Sequence, residues 1–484
     1  MVSEPVPNAS SSPPPKGISV RDPVHGTIAL EDWEAEILEH AALRRLRHIK
    51  QLGFADVSYP GATHSRFIHS VGAMFVATRM WDALQEQLAL SPDVISQLRR
   101  SLRMAVLLHD LGHAPMSHVS EALMPPLADL QLPSWIDGYD SPRQAMHEDY
   151  SLKLVLDSPL TPVLQQCDVD PIAIAQLISG QRHPHSQHFL IDGQDYFPLM
   201  RQIVSSELDA DRMDYLLRDA LYTGVSYGHY DLDWLIRNLC PVHKDNQVFL
   251  GLNGRALFTF EDFLLSRYHM FWSVYYHHNS VCYQEMLLRY AESLEVPYQF
   301  PSDPEAYMLT DDIQLLHQLR QSNNEWAQRI VQRKAYRMLL STLVPSNDEL
   351  KELQALDEDS HKVTTMFPQQ LELFDTMTPI PSNVDSLKMS ALSVALCDAL
   401  EESEIPFFRT ESKWVLSRYF RQKKSDVPPI FVFDESLQRA IPIERYSSLF
   451  RRYADVSWLV RVYCEPTKTE EARSILKELG GNLS

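Results

Sequence analysis

Glycine is scarce in this chain, at 15 of 484 residues, and nowhere does it form Gly-x-Gly-x-x-Gly or Gly-x-x-x-x-Gly-Lys-Ser/Thr. Both loops use glycine to bring backbone N–H groups against phosphates, so nucleotide binding by either device is excluded. The five cysteines, Cys167, Cys240, Cys282, Cys397 and Cys464, are scattered and contain no Cys-x-x-Cys. They read as buried thiols of a cytoplasmic protein, with neither a disulfide framework nor a zinc ribbon. No segment approaches the length of a membrane span, and the Pro- and Ser-rich residues 1–17 lack an apolar core and read as a disordered tail. A net charge of −20, with no basic stripe, disfavours nucleic acid and anionic membranes while leaving room for a local basic pocket.

What is present is an ordinary globular composition, 44% hydrophobic and 22% charged, with length enough for a large core and a smaller lobe. Residues Ile18–Leu30 alternate around a Pro/Gly turn and predict a short β-hairpin. From Trp33 to Tyr290 the spacing is helical, with single runs over 200–220 and 259–292 and loops at 53–63, 125–142 and 180–198. His183, His185 and His188 in the last loop fit a solvated loop better than the alternative, a metal-binding cluster. Asp303 starts further helices that run to Val344. After Pro345 an acidic, Ser/Thr/Pro-dotted stretch leads to a helix at Ala391–Ser403. Strands beginning at Pro429 and Trp458 then flank a helix over Pro442–Tyr453. The fold class is mainly α: a helical core over 18–344 with an N-terminal hairpin, and a small C-terminal α+β lobe over 345–484.

Four constellations could carry chemistry. Leu107-Leu108-His109-Asp110-Leu111-Gly112-His113 places an imidazole beside a carboxylate in an apolar run, where an unpaired charge is costly and a metal ion would pair both. If the helix continues, His113 shares a face with His109; His118 follows, and His147-Glu148 offers a carboxylate to orient an imidazole. In His64-Ser-Arg-Phe-Ile-His69, Ser65 is a candidate helix cap, Arg66 a candidate anion ligand, and His69 either a metal ligand or a core histidine. Asp211, Tyr215 and Asp219 form an i, i+4, i+8 stripe beside Arg212, fit for lining a polar cavity or for a salt-bridge ladder with Arg218. Arg267, Phe271 and Tyr275 repeat that spacing, joining a phosphate clamp to aromatics, although a buried aromatic helix has the same pattern. His69, His109, Asp110 and Asp211 together suit Mn, Mg, Fe or Zn with open positions for water and substrate.

The ordered set His69…His109-Asp110…Asp211, with Asp22-Pro-Val-His-Gly, Arg45-Leu-Arg-His-Ile-Lys-Gln-Leu52, Pro60–Ser70, His109–His118 and Asp303-Pro-Glu-Ala-Tyr, resembles the HD-domain deoxynucleoside triphosphate triphosphohydrolases. The likeness runs from about residue 18 to 340. That family includes a mammalian enzyme with a SAM domain, for which 17 leading residues are too few. The resemblance implies an HD-domain core with metal motifs over 64–219 and a substrate helix over 259–290. His69, His109, Asp110 and Asp211 would bind a divalent metal. Arg66, His113, His118, Arg212, Tyr215 and Arg267 would contact the triphosphate. His113 would protonate the leaving oxygen, supported by His147 and Glu148. Gln51, Leu52, Asp219 and Tyr275 would hold the sugar, Tyr275 crowding out a 2′-hydroxyl. At the family's site for a dGTP or GTP activator Arg47 is retained and Glu39 stands in for an Asp that reads guanine, while Ile18 and Val20 replace a charged N-terminal segment; the family also implies a homotetramer. Arg212 stands where the mammalian relative has Lys, and Phe271 where it has His near the base. The implied reaction converts dNTPs to deoxynucleoside and inorganic triphosphate. The rival readings are an HD-domain nuclease or phosphodiesterase on single strands or other nucleotides, and a non-catalytic nucleotide sensor.

Overall fold

The computed structural model describes residues 18–295, 298–345, 383–414, 430–434, 439–447 and 457–480. The expected tail over 1–17, the acidic stretch after Pro345 and residues 448–453 of the expected helix lie outside them. The fold is mainly α, with a hairpin at the N-terminus and strands toward the C-terminus. The hairpin joins β1 (Ser19–Asp22) to β2 (Gly26–Ala29) in antiparallel register. Its turn is closed by Asp22, whose Oδ1 accepts from Val24 N at 2.9 Å and His25 N at 2.8 Å.

The chain divides into two compact units, the first within residues 1–270, 291–318 and 426–446 and the second within 271–290, 319–425 and 447–484. The first unit is built on α3 (Arg66–Gln85), which packs against α4 (Pro92–Leu108) and α9 (Ala210–Thr223). Most of α3 is buried, as expected of a helix enclosed on all sides. Around it lie α1 (Asp32–Leu38), α2 (Ala41–Arg45), α5 (His147–Leu156), α6 (Leu160–Gln166), α7 (Pro171–Ser179), α8 (Phe197–Val204), α10 (Leu232–Arg237) and α11 (Leu257–Met270). Helix ends follow local chemistry. Ser91 caps α4 ahead of Pro92, and Asp209 caps α9 by accepting from Arg212 N at 2.8 Å. Ser65 precedes α3 in an extended conformation without a side-chain capping bond, so the expected cap is positional only.

The helix expected across 200–220 is two, α8 and α9, separated at extended Ser205 so that Asp209 can cap the second. The run expected over 259–292 breaks likewise into α11, a π-helical turn at Phe271–Tyr275 and α12 (His278–Glu292). In the first unit's sheet, β5 (Leu239–Lys244) pairs with β6 (Gln247–Asn253), and the short strands β3 (Leu190–Ile191) and β4 (Gln194–Asp195) extend it. Strand β9 (Phe431–Asp434), expected in the C-terminal lobe, lies parallel to β6 and carries β10 (Arg439–Pro442) on its other edge. Phe431 explains the placement, since its ring packs with Cys240, Val242 and Phe249 in an apolar cluster. A short helix, α17 (Ile443–Tyr446), follows β10.

In the second unit β11 (Ser457–Cys464) lies between β7 (Arg337–Pro345) and β8 (Phe407–Trp414), all antiparallel. Helices α16 (Asn383–Glu402) and α18 (Thr469–Glu478) contribute Leu396, Leu400 and Leu476 to its core beside Leu339, Leu340 and Val462. Of the remaining helices, α13 (Pro304–Met308), capped by Asp303, and most of α14 (Asp312–Gln321) belong to the first unit, and α15 (Glu325–Val331) to the second.

Candidate metal centre

Four side chains from three helices meet inside the first unit. His69 lies one turn into α3, His109 is the C-cap of α4, Asp110 follows it, and Asp211 lies in the first turn of α9. His69 Nε2 is 3.0 Å from Asp211 Oδ1 and 3.6 Å from Asp110 Oδ2; His109 Nε2 is 3.5 Å from Asp211 Oδ1 and 3.3 Å from Asp110 Oδ1. Helix α4 ends at Leu108, so His113 does not share a helical face with His109; it comes back to Asp110 through a turn, its Nε2 3.2 Å from Asp110 Oδ1.

The remote nitrogens fix how these rings are used. His109 Nδ1 lies 2.6 Å from the Val106 carbonyl, which can only accept, so Nδ1 carries the proton. His69 Nδ1 faces Asp214 Oδ2 at 2.8 Å in the same sense. Both Nε2 atoms are buried, lack a hydrogen-bond partner and point their lone pairs among carboxylates. Burial works against charging either ring, yet Asp211 and Asp214 hold the His69 pKa up at about 10, and Asp110 and Asp211 hold His109 at about 9. Such a place demands a cation. His69, His109 and Asp211 are spaced to hold a metal ion, with Asp110 against them, and nitrogen and carboxylate donors suit a divalent ion.

Asp214 was not singled out from sequence, although it lies on the same helix only three residues beyond Asp211. It binds His69, accepts 2.8 Å bonds from Arg218 Nε and Nη2, and meets His25 Nε2 of the hairpin turn at 2.6 Å. Arg218 also reaches Asp22 at 2.8 Å, so the hairpin turn is tied to the metal centre. Gly72 permits this approach, since a Cβ there would lie 2.1 Å from Arg218 Nη2 and 2.2 Å from Asp214 Oδ1.

A second cluster lies alongside. His113 stacks on His147 with ring centroids 3.8 Å apart, and His118 meets both rings edge-on at 4.6 and 5.1 Å. Glu121 joins it: one oxygen contacts His147 Nδ1 and the other is 3.3 Å from His118 Nδ1. Glu148, expected to orient His147, is half-exposed and farther from the same nitrogen at 3.4 Å. Sequence reading missed Glu121; its signal is the i, i+3 spacing from His118. Burial, Arg66 and His147 push the His113 pKa well below its usual value. His147 is raised: Glu148 and Glu121 overcome its burial.

Arg66 enters from the start of α3, contacting Asp110 through Nη1 and donating from Nε to Ser117 Oγ at 2.6 Å. Arg212 is held by Asp209 and the Ser206 carbonyl, with its buried Nε unpartnered; Arg267 Nη1 donates to Glu207 at 2.7 Å. Tyr215 lies beside His69 with ring centroids 6.4 Å apart. Asp219, at the far end of the stripe, meets His64 Nε2 at 2.7 Å. Gln51 is buried with Oε1 lacking a partner, and Leu52 is half-buried next to it. Glu39 and Arg47 are exposed, the latter stacked 3.6 Å over the Phe67 ring. Tyr275 closes the π-helical turn of the second unit, its ring against Phe271.

Residues 66–219 match the HD domain, and residues 230–366 match the HD associated region. The likeness to the HD domain thus covers residues 66–219. An uncharacterized protein of Bacillus subtilis is 33% identical over 262 residues, 53% of this chain and 51% of its own. A human deoxynucleoside triphosphate triphosphohydrolase is 27% identical over 280 residues, 53% of this chain and 41% of its own. A Dictyostelium discoideum homolog of that enzyme is 30% identical over 213 residues, 43% and 37% respectively. The first curated relatives are matched over 51–59% of their length. A solved hypothetical protein of Aquifex aeolicus shares this chain's fold at TM-score 0.65 and 24% identity, the match covering 95% of this chain and 99% of that one. No described helix is long and apolar enough to cross a membrane.

Proposed function

We propose that this HD-domain protein is a metal-dependent phosphohydrolase that cleaves dNTPs to deoxynucleoside and inorganic triphosphate. The observation that carries the reading is the pair of buried, unbonded Nε2 atoms of His69 and His109 among the Asp110 and Asp211 carboxylates, with Arg66 against Asp110. Relatives named as deoxynucleoside triphosphate triphosphohydrolases support the substrate class. Held by His69, His109, Asp110 and Asp211, a divalent ion would supply Lewis acidity at a phosphoryl oxygen.

The side chains then divide the remaining work. Arg66, pinned by Asp110 and Ser117, and Arg212 and Arg267, each on a carboxylate, present cations to the polyphosphate and oppose charge developing in the transition state. Tyr215, His113 and His118 border that position. Gln51, Leu52 and Asp219 are the first unit's candidates for the sugar. His113, 3.2 Å from Asp110 and stacked on His147, is the candidate that protonates the leaving 5′-oxygen, and burial, Arg66 and His147 push its pKa down. A second candidate donor is the His118–Glu121–His147 set, where Glu121 holds both imidazoles by Nδ1 and Glu148 and Glu121 raise the His147 pKa. The same proposal includes a dGTP or GTP activator near Glu39 and Arg47 and assembly as a homotetramer.

Incubation with each dNTP, each NTP and short single-stranded DNA, with Mn²⁺ or Mg²⁺ and with or without dGTP, tests it. Inorganic triphosphate from dNTPs alone supports the reading, whereas nucleoside monophosphates from DNA with intact dNTPs would make the protein a nuclease.

A further inference from the structure

The segment Asp303-Pro-Glu-Ala-Tyr-Met-Leu-Thr-Asp-Asp takes no part in the chemistry above, yet Tyr307 and Asp312 bond back onto the turn from Asp110 to Ser117, and Thr310 holds Arg45, which does the same. Tyr307 Oη donates to the Gly112 carbonyl at 2.7 Å. Arg45, buried against the Tyr307 ring with its guanidinium 4.5 Å from the centroid, donates to the His113 carbonyl at 2.7 Å and the Leu111 carbonyl at 3.3 Å. Its Nε is spent on the Thr310 carbonyl at 2.6 Å. Three successive carbonyls beyond the end of α4 are thus each given a donor.

The next residues are held from the same side. Met116 and Ser117 both adopt left-handed backbone, at φ 62° and 60°, which residues with a Cβ occupy only when the surroundings impose it. Asp312 imposes it: Oδ1 accepts from Met116 N at 2.6 Å while Oδ2 accepts from Lys50 N at 2.9 Å. Ser117 Oγ donates to the Lys50 carbonyl at 2.6 Å and receives Arg66 Nε. Both backbone groups of Lys50, the neighbour of Gln51, are therefore locked to the 116–117 bend.

We propose that Arg45, Tyr307 and Asp312 are positioning residues: they clamp the turn from Asp110 to Ser117 and so set where Asp110, His113 and Arg66 face the metal and phosphates. This rests on the phosphohydrolase reading, but its geometry can be tested separately. Tyr307→Phe keeps the ring, which also stacks on Tyr150 at 3.9 Å, and removes only the hydroxyl. Arg45→Lys keeps the charge but loses the planar fork, and Asp312→Asn leaves one acceptor for two N–H groups.

The full-length variants are compared with wild type by Mn²⁺ titration, by kcat and KM for a dNTP, and by thermal unfolding. Expected is Mn²⁺ affinity weakened about tenfold and kcat lowered about tenfold or more, with KM within about threefold and unfolding only slightly shifted. Folded variants with both Mn²⁺ affinity and kcat within about twofold of wild type would overturn the proposal. So would losses that vanish when the assay is cooled well below the variant's unfolding temperature, since a merely structural bond behaves that way. If wild type cleaves no dNTP, the functional reading fails by itself, and the Mn²⁺ titration still decides the clamp.

Discussion

At the scale of single residues, the function of a histidine here is set by what its other nitrogen touches. His69 and His109 give Nδ1 to Asp214 and to the Val106 carbonyl, and that leaves Nε2 for a cation. Asp214→Asn is expected to weaken metal binding about 10–100-fold without removing a ligand, measured by Mn²⁺ titration. An unchanged affinity would show that orientation of His69 is not needed. Glu121→Gln tests the proton donor. The carboxylate raises the proton affinity of His147, so its loss lowers that pKa. An acid must be protonated to act, so the alkaline limb of the kcat profile should move to lower pH and kcat should fall about 10²-fold or more. A profile that keeps its limb would assign the proton elsewhere.

At the scale of elements, the hairpin and the main helices were legible because their signals are local: a Pro/Gly turn, periodic apolar residues, and Ser91 and Asp209 at helix starts. The candidate ligand set was legible because the resemblance orders it along the chain, and the structure brings its four side chains together. The partners that hold the ligands were not. Glu121, Asp214 and Glu207 are ordinary acidic residues in sequence, and only the packing of α3 against α4 and α9, or a bond such as Glu207 to Arg267, gives them work. The breaks at Ser205 and Phe271–Tyr275 also escape periodicity, because apolar spacing continues through them. Gly112 shows how closely elements approach: a Cβ there would lie 2.1 Å from the His147 carbonyl and 2.4 Å from Ser151 N, both backbone atoms of α5. Gly112→Ala should therefore push the two histidine clusters apart and cost about 1–3 kcal/mol or more, read from denaturant unfolding. Retention of full stability and activity would mean the helix yields more easily than its packing suggests.

At the scale of the molecule, one buried network joins the first hairpin to the centre: Asp22 and Asp214 both grip Arg218, and His25 meets Asp214. Asp214 is buried, yet Arg218, His25 and His69 hold its pKa well below the usual carboxylate range. Its folded value lies below the unfolded one, so its stabilisation is complete above the unfolded pKa of about 4 and is lost as pH falls further. The urea midpoint should fall between pH 5 and 3, and by less in Asp214→Asn. Equal falls in both proteins would remove this carboxylate from the acid response. The central claim is that the HD set holds a divalent ion, and Mn²⁺ titration of wild type, His109→Ala and Asp211→Ala tests it most directly. One tightly bound ion in wild type, lost in both folded variants, is the predicted result. Equal binding by all three proteins would contradict it and transfer the ion to the His113–His118–Glu121–His147 cluster.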